Sequence, residues 1–442
     1  MTQAQALPLT HRSVLAIAVP IMLSNVTEPL IGVVNTAVIG RLPDPYYIGS
    51  IAVGALVFSF LFWGFGFLRL STGGLSAQAT GAGDTPELAA VFFRALLLAL
   101  GFGLVIVALS PVIGRLAFRV IGGSPDLLAH AESYFHWRVW SAPAALMNFV
   151  ILGWLTGQGR ATAAFITQVV LNLTNMALSA LFVLVLHKTS EGVGQAALIA
   201  EYLALALGLA IVFFRLRQLG QGFEAARVFD LHAYRKTMGA NFDIMVRTLC
   251  LIFAFGWFTA RGARLGDTVV AANAVLMNLF EVSAYLIDGF AYASEALVGQ
   301  SAGAGNRQRF NAAIWLTSKW AVAVGALCSL ILLAAGPWFI DLLTVSPPVR
   351  AMARASLWLA ALTPFLGAVA FQFDGIYTGA LATRDMRNTM LVSLAAFMGL
   401  WWWLEPRYGI TGLWLALCAF FIMRGLTMAL RMPAIERRMF RA

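Results

Sequence analysis

Apolar residues run almost from end to end of this chain, interrupted only by short polar clusters. Runs long enough to cross a bilayer, which takes roughly 20 residues each, fall near 13–39, 48–75, 91–112, 131–156, 162–187, 194–216, 237–260, 271–298, 312–335, 352–379, 388–404 and 410–430. That makes about twelve, six in each half. Several of the polar clusters carry helix stop and start signals. In SAQATGAGD, glycines end one helix and Asp84, with Glu87 three residues on, caps the next; in VGQSAGAGN, Asn306 does the same. These GAG segments lack the Gly-Lys-Ser/Thr that grips phosphate and magnesium, which sets a nucleotide loop aside.

The two halves are copies. Gln78, Gly81 and Gly83 recur as Gln300, Gly303 and Gly305, each 222 residues later. Ser124-Pro125 recurs as Ser346-Pro347, and Thr156-Gly157 as Thr378-Gly379, at the same offset. Three landmarks at one spacing imply duplication. An even number of spans in each copy gives both the same orientation, so the repeat is parallel, as in transporters whose halves are related by an axis along the membrane normal. The expected architecture is an all-α integral membrane protein: a first lobe over 1–217, a cytoplasmic linker over 218–236 and a second lobe over 237–442. Alternation of Phe223, Val228, Phe229 and Leu231 with charged residues predicts a short helix on the membrane surface within the linker.

Composition agrees with the pattern. A chain that is 60% hydrophobic and 11% charged, with mean hydropathy +0.81, cannot offer water a polar surface around a single core. Lys and Arg number about sixteen in the loops on the side of the termini and about nine in the opposite loops, so both termini are expected in the cytoplasm. That bias and contact with anionic lipid account for the net charge of +10 without nucleic acid. Cys250, Cys328 and Cys418 stand far apart in apolar helices with no ligand spacing, so neither a metal site nor a cofactor is expected.

An ionisable group deep in a span costs about 2.5–3.5 kcal/mol on insertion scales. Glu281, Asp288 and Glu295 follow one another at intervals of seven, nearly two helical turns, and so share one face of span eight. Such a stripe must meet a polar cavity or protein rather than lipid. Asp374 in span ten is a fourth acid; for it and Asp288 the alternative is a helix-to-helix hydrogen bond away from any pathway. In span one, Glu28 and Asn35 are seven apart, with Pro29 expected to kink the helix beside Glu28. Asn172, Asn175 and Ser179 form a polar stripe on span five that either glues helices or lines a cavity. Asp243 and Arg247 are four apart at the start of span seven, a spacing suited to an ion pair on one helix face. Arg69 and Arg138 lie near span ends by these boundaries and could snorkel.

These segments resemble the multidrug and toxic compound extrusion (MATE) family, and its DNA-damage-inducible protein F branch, over nearly the full length. The matching stretches are PLIGVVNTAVIGRL, LRLSTGGLSAQATGAG, NFDIMVRTL, NAVLMNLFEVSAYLIDGFAYASEALVGQ and FDGIYTGAL. The resemblance implies two six-helix lobes forming a V-shaped cleft, and efflux of cationic and amphipathic organic compounds driven by inward H⁺ or Na⁺. It also implies a bacterial inner membrane location. Two departures stand out: the family usually carries Asp where this chain has Asn35, and the branch often carries Asp at Ser179. Neither Asn nor Ser releases a proton at physiological pH. Glu28 is therefore one candidate for the first-lobe carboxylate; the rival places coupling, or a bound sodium ion, on the second-lobe acids Asp288, Glu295 and Asp374.

The function this supports is a secondary antiporter, with membrane lipid and small organic cations as its partners and a monomer sufficient. A flippase for lipid-linked precursors is the alternative, and it predicts a strongly cationic cavity, whereas the spans show mainly acids. An aspartyl protease reading fails, because the facing Asp pair with its G-x-G-D turn is absent and the duplication is left unexplained. No enzymatic activity is expected.

Overall fold

The structure, a computed structural model, describes residues 7–42, 44 and 46–440. The extreme termini, and with them the expectation about their side of the membrane, lie outside the described residues. The helices are α1 (His11–Ile39), α2 (Tyr46–Gly64), α3 (Phe67–Ala82), α4 (Thr85–Ile121), α5 (Pro125–Arg138), α6 (Ala142–Gly157), α7 (Ala161–Ala180) and α8 (Ser190–Gln218). They continue with the single turn α9 (Ala225–Val228), then α10 (Leu231–Arg264), α11 (Asp267–Gly303), α12 (Arg307–Leu343), α13 (Pro347–Gly379) and α14 (Thr383–Met439). No strand occurs among the described residues.

Among the described residues, eleven stretches of helix are long and apolar enough to cross a membrane. The last of them, α14, has 57 residues; at about 1.5 Å per residue it is far longer than the hydrocarbon core, about 30 Å. It breaks at Gly409, where φ 55° and ψ −128° leave the helical region. Only glycine takes this conformation without strain. A Cβ on Gly412 would collide with the Leu404 carbonyl and approach the Glu405 nitrogen to 2.9 Å, so the chain folds back here into a twelfth crossing. Large apolar side chains such as Leu116, Trp315, Leu330 and Leu430 are more than half exposed, as lipid-facing positions require.

The chain forms two compact units: Leu23–Lys236, and residues 7–22 together with 237–440. The sequence boundary therefore shifts in one respect, because the start of α1 groups with the second unit. There the indole of Trp320 donates to His11 Nδ1 at 3.1 Å, and a Cβ on Gly289 would lie 2.7 Å from the Ala18 carbonyl oxygen. The expected linker also shortens, since α8 extends to Gln218 and α10 begins at Leu231. The surface helix is one turn, with Val228 buried and Phe223 and Phe229 exposed.

Duplication is preserved span for span, although α5 and α6 of the first copy run as one helix, α13, in the second. Thr85–Ile121 and Arg307–Leu343 are 222 apart at both ends, and so are Pro125–Gly157 and Pro347–Gly379. The caps repeat as well: Asp84 accepts the Glu87 N–H at 3.0 Å and Asn306 the Arg309 N–H at 2.9 Å. So does the closest helix contact. Gly153 and Gly157 of α6 lie against the backbone of Arg69 and Gly73 of α3. In the second unit, Gly375 and Gly379 of α13 lie against Ala291 and Glu295 of α11, and a Cβ on Gly379 would sit 2.5 Å from the Glu295 carbonyl oxygen. Small residues let helix backbones meet where lipid gives no hydrophobic drive. Gly157→Val and Gly379→Val should each lower the thermal unfolding midpoint of the detergent-solubilised protein, overpacking costing about 1–3 kcal/mol or more; unchanged midpoints would contradict this packing.

Candidate functional site

The second unit holds its charges in pairs. Asp374 on α13 accepts from Arg247 of α10 and, at 2.7 Å, from Arg424 of α14 through the same oxygen, Oδ2. Arg424 is 1% exposed and lies over the rings of Phe371 and Phe420, 5.6 and 5.5 Å from their centroids. Asp288 lies close enough to act on Arg424 electrostatically. Asp374 is thus a shared counter-ion through Oδ2, while its buried Oδ1 has no hydrogen-bond partner among the described residues. The span-eight stripe is graded: Glu281 is exposed, Asp288 half-buried and Glu295 buried.

Asp243 and Arg247 do not pair with each other. Arg247 turns to Asp374, while Asp243 accepts from Arg387 at 2.6 Å and from the Thr383 hydroxyl at 3.0 Å. An i,i+4 pair on a helix surface yields only about 0.2–0.5 kcal/mol. Buried charges demand closer compensation, and tertiary partners on α13 and α14 supply it. Arg261 and Glu405 form a further bidentate pair at 2.9 and 3.0 Å, with the Arg261 guanidinium 5.0 Å from the Trp401 ring centroid.

The first unit is built differently. Glu28 on α1 is exposed although its helix spans the membrane, and Arg69 of α3 and Glu201 of α8 act on it electrostatically. Beside it, the Thr27 hydroxyl accepts from Asn172 Nδ2 at 2.6 Å, and Asn172 Oδ1 accepts from Gln168 at 3.2 Å. Asn172 therefore ties α7 to α1 next to Glu28. Ser179 donates to Asn175 Oδ1 at 3.5 Å within α7. Asn35 is buried, and its Oδ1 has no hydrogen-bond partner among the described residues.

Sequence reasoning missed the other half of this cluster. Glu201 is 7% exposed and takes Asn148 Nδ2 of α6 at 2.9 Å on Oε2 and Arg138 of α5 at 3.5 Å on Oε1. Arg138 does not snorkel: it lies inside the continuous apolar stretch Pro125–Gly157, its guanidinium 5.8 and 5.6 Å from the Phe58 and Phe62 ring centroids. Arg69 likewise lies inside Tyr46–Ala82, three residues after the break between α2 and α3. Glu201, the one acid in the apolar run AALIAEYLALALG, would have been found by the insertion cost that singled out Asp288.

A duplicated bundle of membrane-crossing helices, carrying in both copies paired charges that lipid cannot solvate, is the architecture of a multi-pass membrane transport protein. The chain belongs to the MatE family, whose model matches residues 20–181 and 244–402. It is 41% identical to DNA damage-inducible protein F of Escherichia coli (strain K12), over 96% of this chain and 92% of that protein. It is 24% identical to the multidrug resistance protein MdtK of Edwardsiella ictaluri (strain 93-146), over 97% and 96%. The fold matches a crystal structure of MATE in complex with MaD3S at TM-score 0.86 and 18% identity, covering 97% of both chains.

Proposed function

We propose that this protein is a secondary active multidrug efflux antiporter. It exports cationic and amphipathic organic compounds against an inward flow of H⁺ or Na⁺, moving between inward-open and outward-open states. The reading places it in a bacterial inner membrane as a monomer with both termini in the cytoplasm. The observation that carries it is Glu28: an acid in a membrane-spanning helix, with Arg69 and Glu201 in its field. An acid at such a place is expensive unless it meets water, a cation or a proton. Loading a drug cation and loading the coupling ion then become mutually exclusive at one carboxylate, which is the logic of exchange. A family relative named for multidrug resistance supports the substrate class.

The flippase alternative loses support, because the arginines buried in the spans are matched by acids: Arg138 by Glu201, and Arg247 and Arg424 by Asp374 with Asp288 in the field of Arg424. They leave little net charge for a pyrophosphate. The test is ethidium movement in proteoliposomes under an imposed pH or sodium gradient. Uphill ethidium transport driven by either gradient is expected. Its absence under both, with correctly inserted protein, would overturn the antiport reading.

A further inference from the structure

Each oxygen of the Glu201 carboxylate faces a hydrogen-bond donor. Asn148 Nδ2 bonds both Oε2, at 2.9 Å, and the Glu201 backbone carbonyl, at 3.0 Å. Facing two acceptors, that end of the Asn148 amide must be the nitrogen. Oε1 faces Arg138 Nη2 at 3.5 Å. The guanidinium brings a further buried N–H group, on Nη1, that has no acceptor among the described residues. Stacking beside Phe58 and Phe62 fixes it in place.

A hard metal cation needs oxygen ligands converging on it. Here positive hydrogens converge on the oxygens instead, and a guanidinium keeps its charge at every physiological pH. Two acids, Glu28 and Glu201, are matched by two arginines, Arg69 and Arg138. A proton differs from sodium in needing no coordination shell: it sits on one carboxylate oxygen. We propose that Arg138 is a built-in counter-cation, fixed against Glu201, that denies sodium ions the first-unit carboxylates and makes this half of the protein proton-selective. The proposal rests on the reading of Glu28 as the coupling carboxylate, and it makes Arg138 a residue that sets ion specificity.

The test is sodium titration of the purified protein in detergent at constant ionic strength, with potassium as the balancing ion, read by the thermal unfolding midpoint. Arg138→Gln should gain a saturable, sodium-specific rise of several degrees that wild type lacks and that Arg138→Gln/Glu201→Gln loses. Arg138→Lys, which keeps the charge, should exclude sodium as wild type does. Two results would overturn the proposal: a sodium response in wild type that Glu201→Gln abolishes, or a folded Arg138→Gln protein that responds no more than wild type. Should Arg138→Gln not fold, the comparison of wild type with Glu201→Gln still decides. Gradient-driven transport separates the two readings. Failure of efflux under both gradients removes the antiporter while leaving sodium exclusion to be judged by the titration, whereas sodium-driven efflux lost in Glu201→Gln removes sodium exclusion and keeps the antiporter.

Discussion

Asp374→Ala is expected to leave little folded protein. Asp374 is the acceptor for both Arg247 and Arg424, and Arg424 is 1% exposed. Two of its nitrogens, Nε and Nη1, already lack hydrogen-bond partners among the described residues. Removing the carboxylate leaves two guanidinium groups in low dielectric with their shared counter-ion gone, and breaking a buried pair from one side typically costs about 3–5 kcal/mol. That is comparable with the whole stability of many proteins, about 5–15 kcal/mol. Asp374→Asn keeps an acceptor but not the charge, and should fall between wild type and Asp374→Ala. Asp374→Leu combined with Arg424→Met should recover part of the loss, because it removes the need for compensation together with the partner. Thermal unfolding followed by size exclusion in detergent gives the ranking; an Asp374→Ala protein as stable as wild type would show that the cluster is hydrated and its charges screened.

The second large effect is on coupling. Glu28→Gln should fold and still bind ethidium, though more weakly, yet lose gradient-driven accumulation. Exchange of one proton for one ethidium cation moves no net charge, so the pH gradient drives it: one pH unit, about 1.4 kcal/mol, sustains a concentration ratio of about ten. An amide carries no proton across, so the steady-state ratio should fall towards one. Downhill ethidium movement should persist, which distinguishes lost coupling from lost protein. Undiminished accumulation in Glu28→Gln would shift coupling to the acids of α11, among which Asp288 is half-buried and Glu281 exposed.

Much of the scaffold was legible because it rests on signals local to the chain. The 222-residue offset located matching helices to the residue, since both copies use the same cap and glycine positions, as at Asp84 and Asn306 or Gly157 and Gly379. The break at Gly409 falls between the two expected final spans. Ion pairing was not legible. Spacing placed Asp243 beside Arg247 on one helix face, but which way each turns is decided by Arg387 and Asp374, on helices more than a hundred residues away in sequence. Arg424, set in the apolar run FFIMRGLTMAL, could have been flagged by its insertion cost alone. Its partner could not. The duplicated scaffold tells which helices correspond, whereas the charges lie at positions where the copies differ: Glu295 has Gly73 as its counterpart, and Arg69 has Ala291.

Competition between a proton and an organic cation at Glu28 can be observed without any gradient. Ethidium added to purified, weakly buffered protein containing a pH-indicator dye should release protons from wild type in a saturable fashion, with release absent in Glu28→Gln while ethidium binding is retained. Equal proton release from the two proteins, or binding to wild type without any release, would contradict the assignment of Glu28 as the carboxylate that exchanges one for the other.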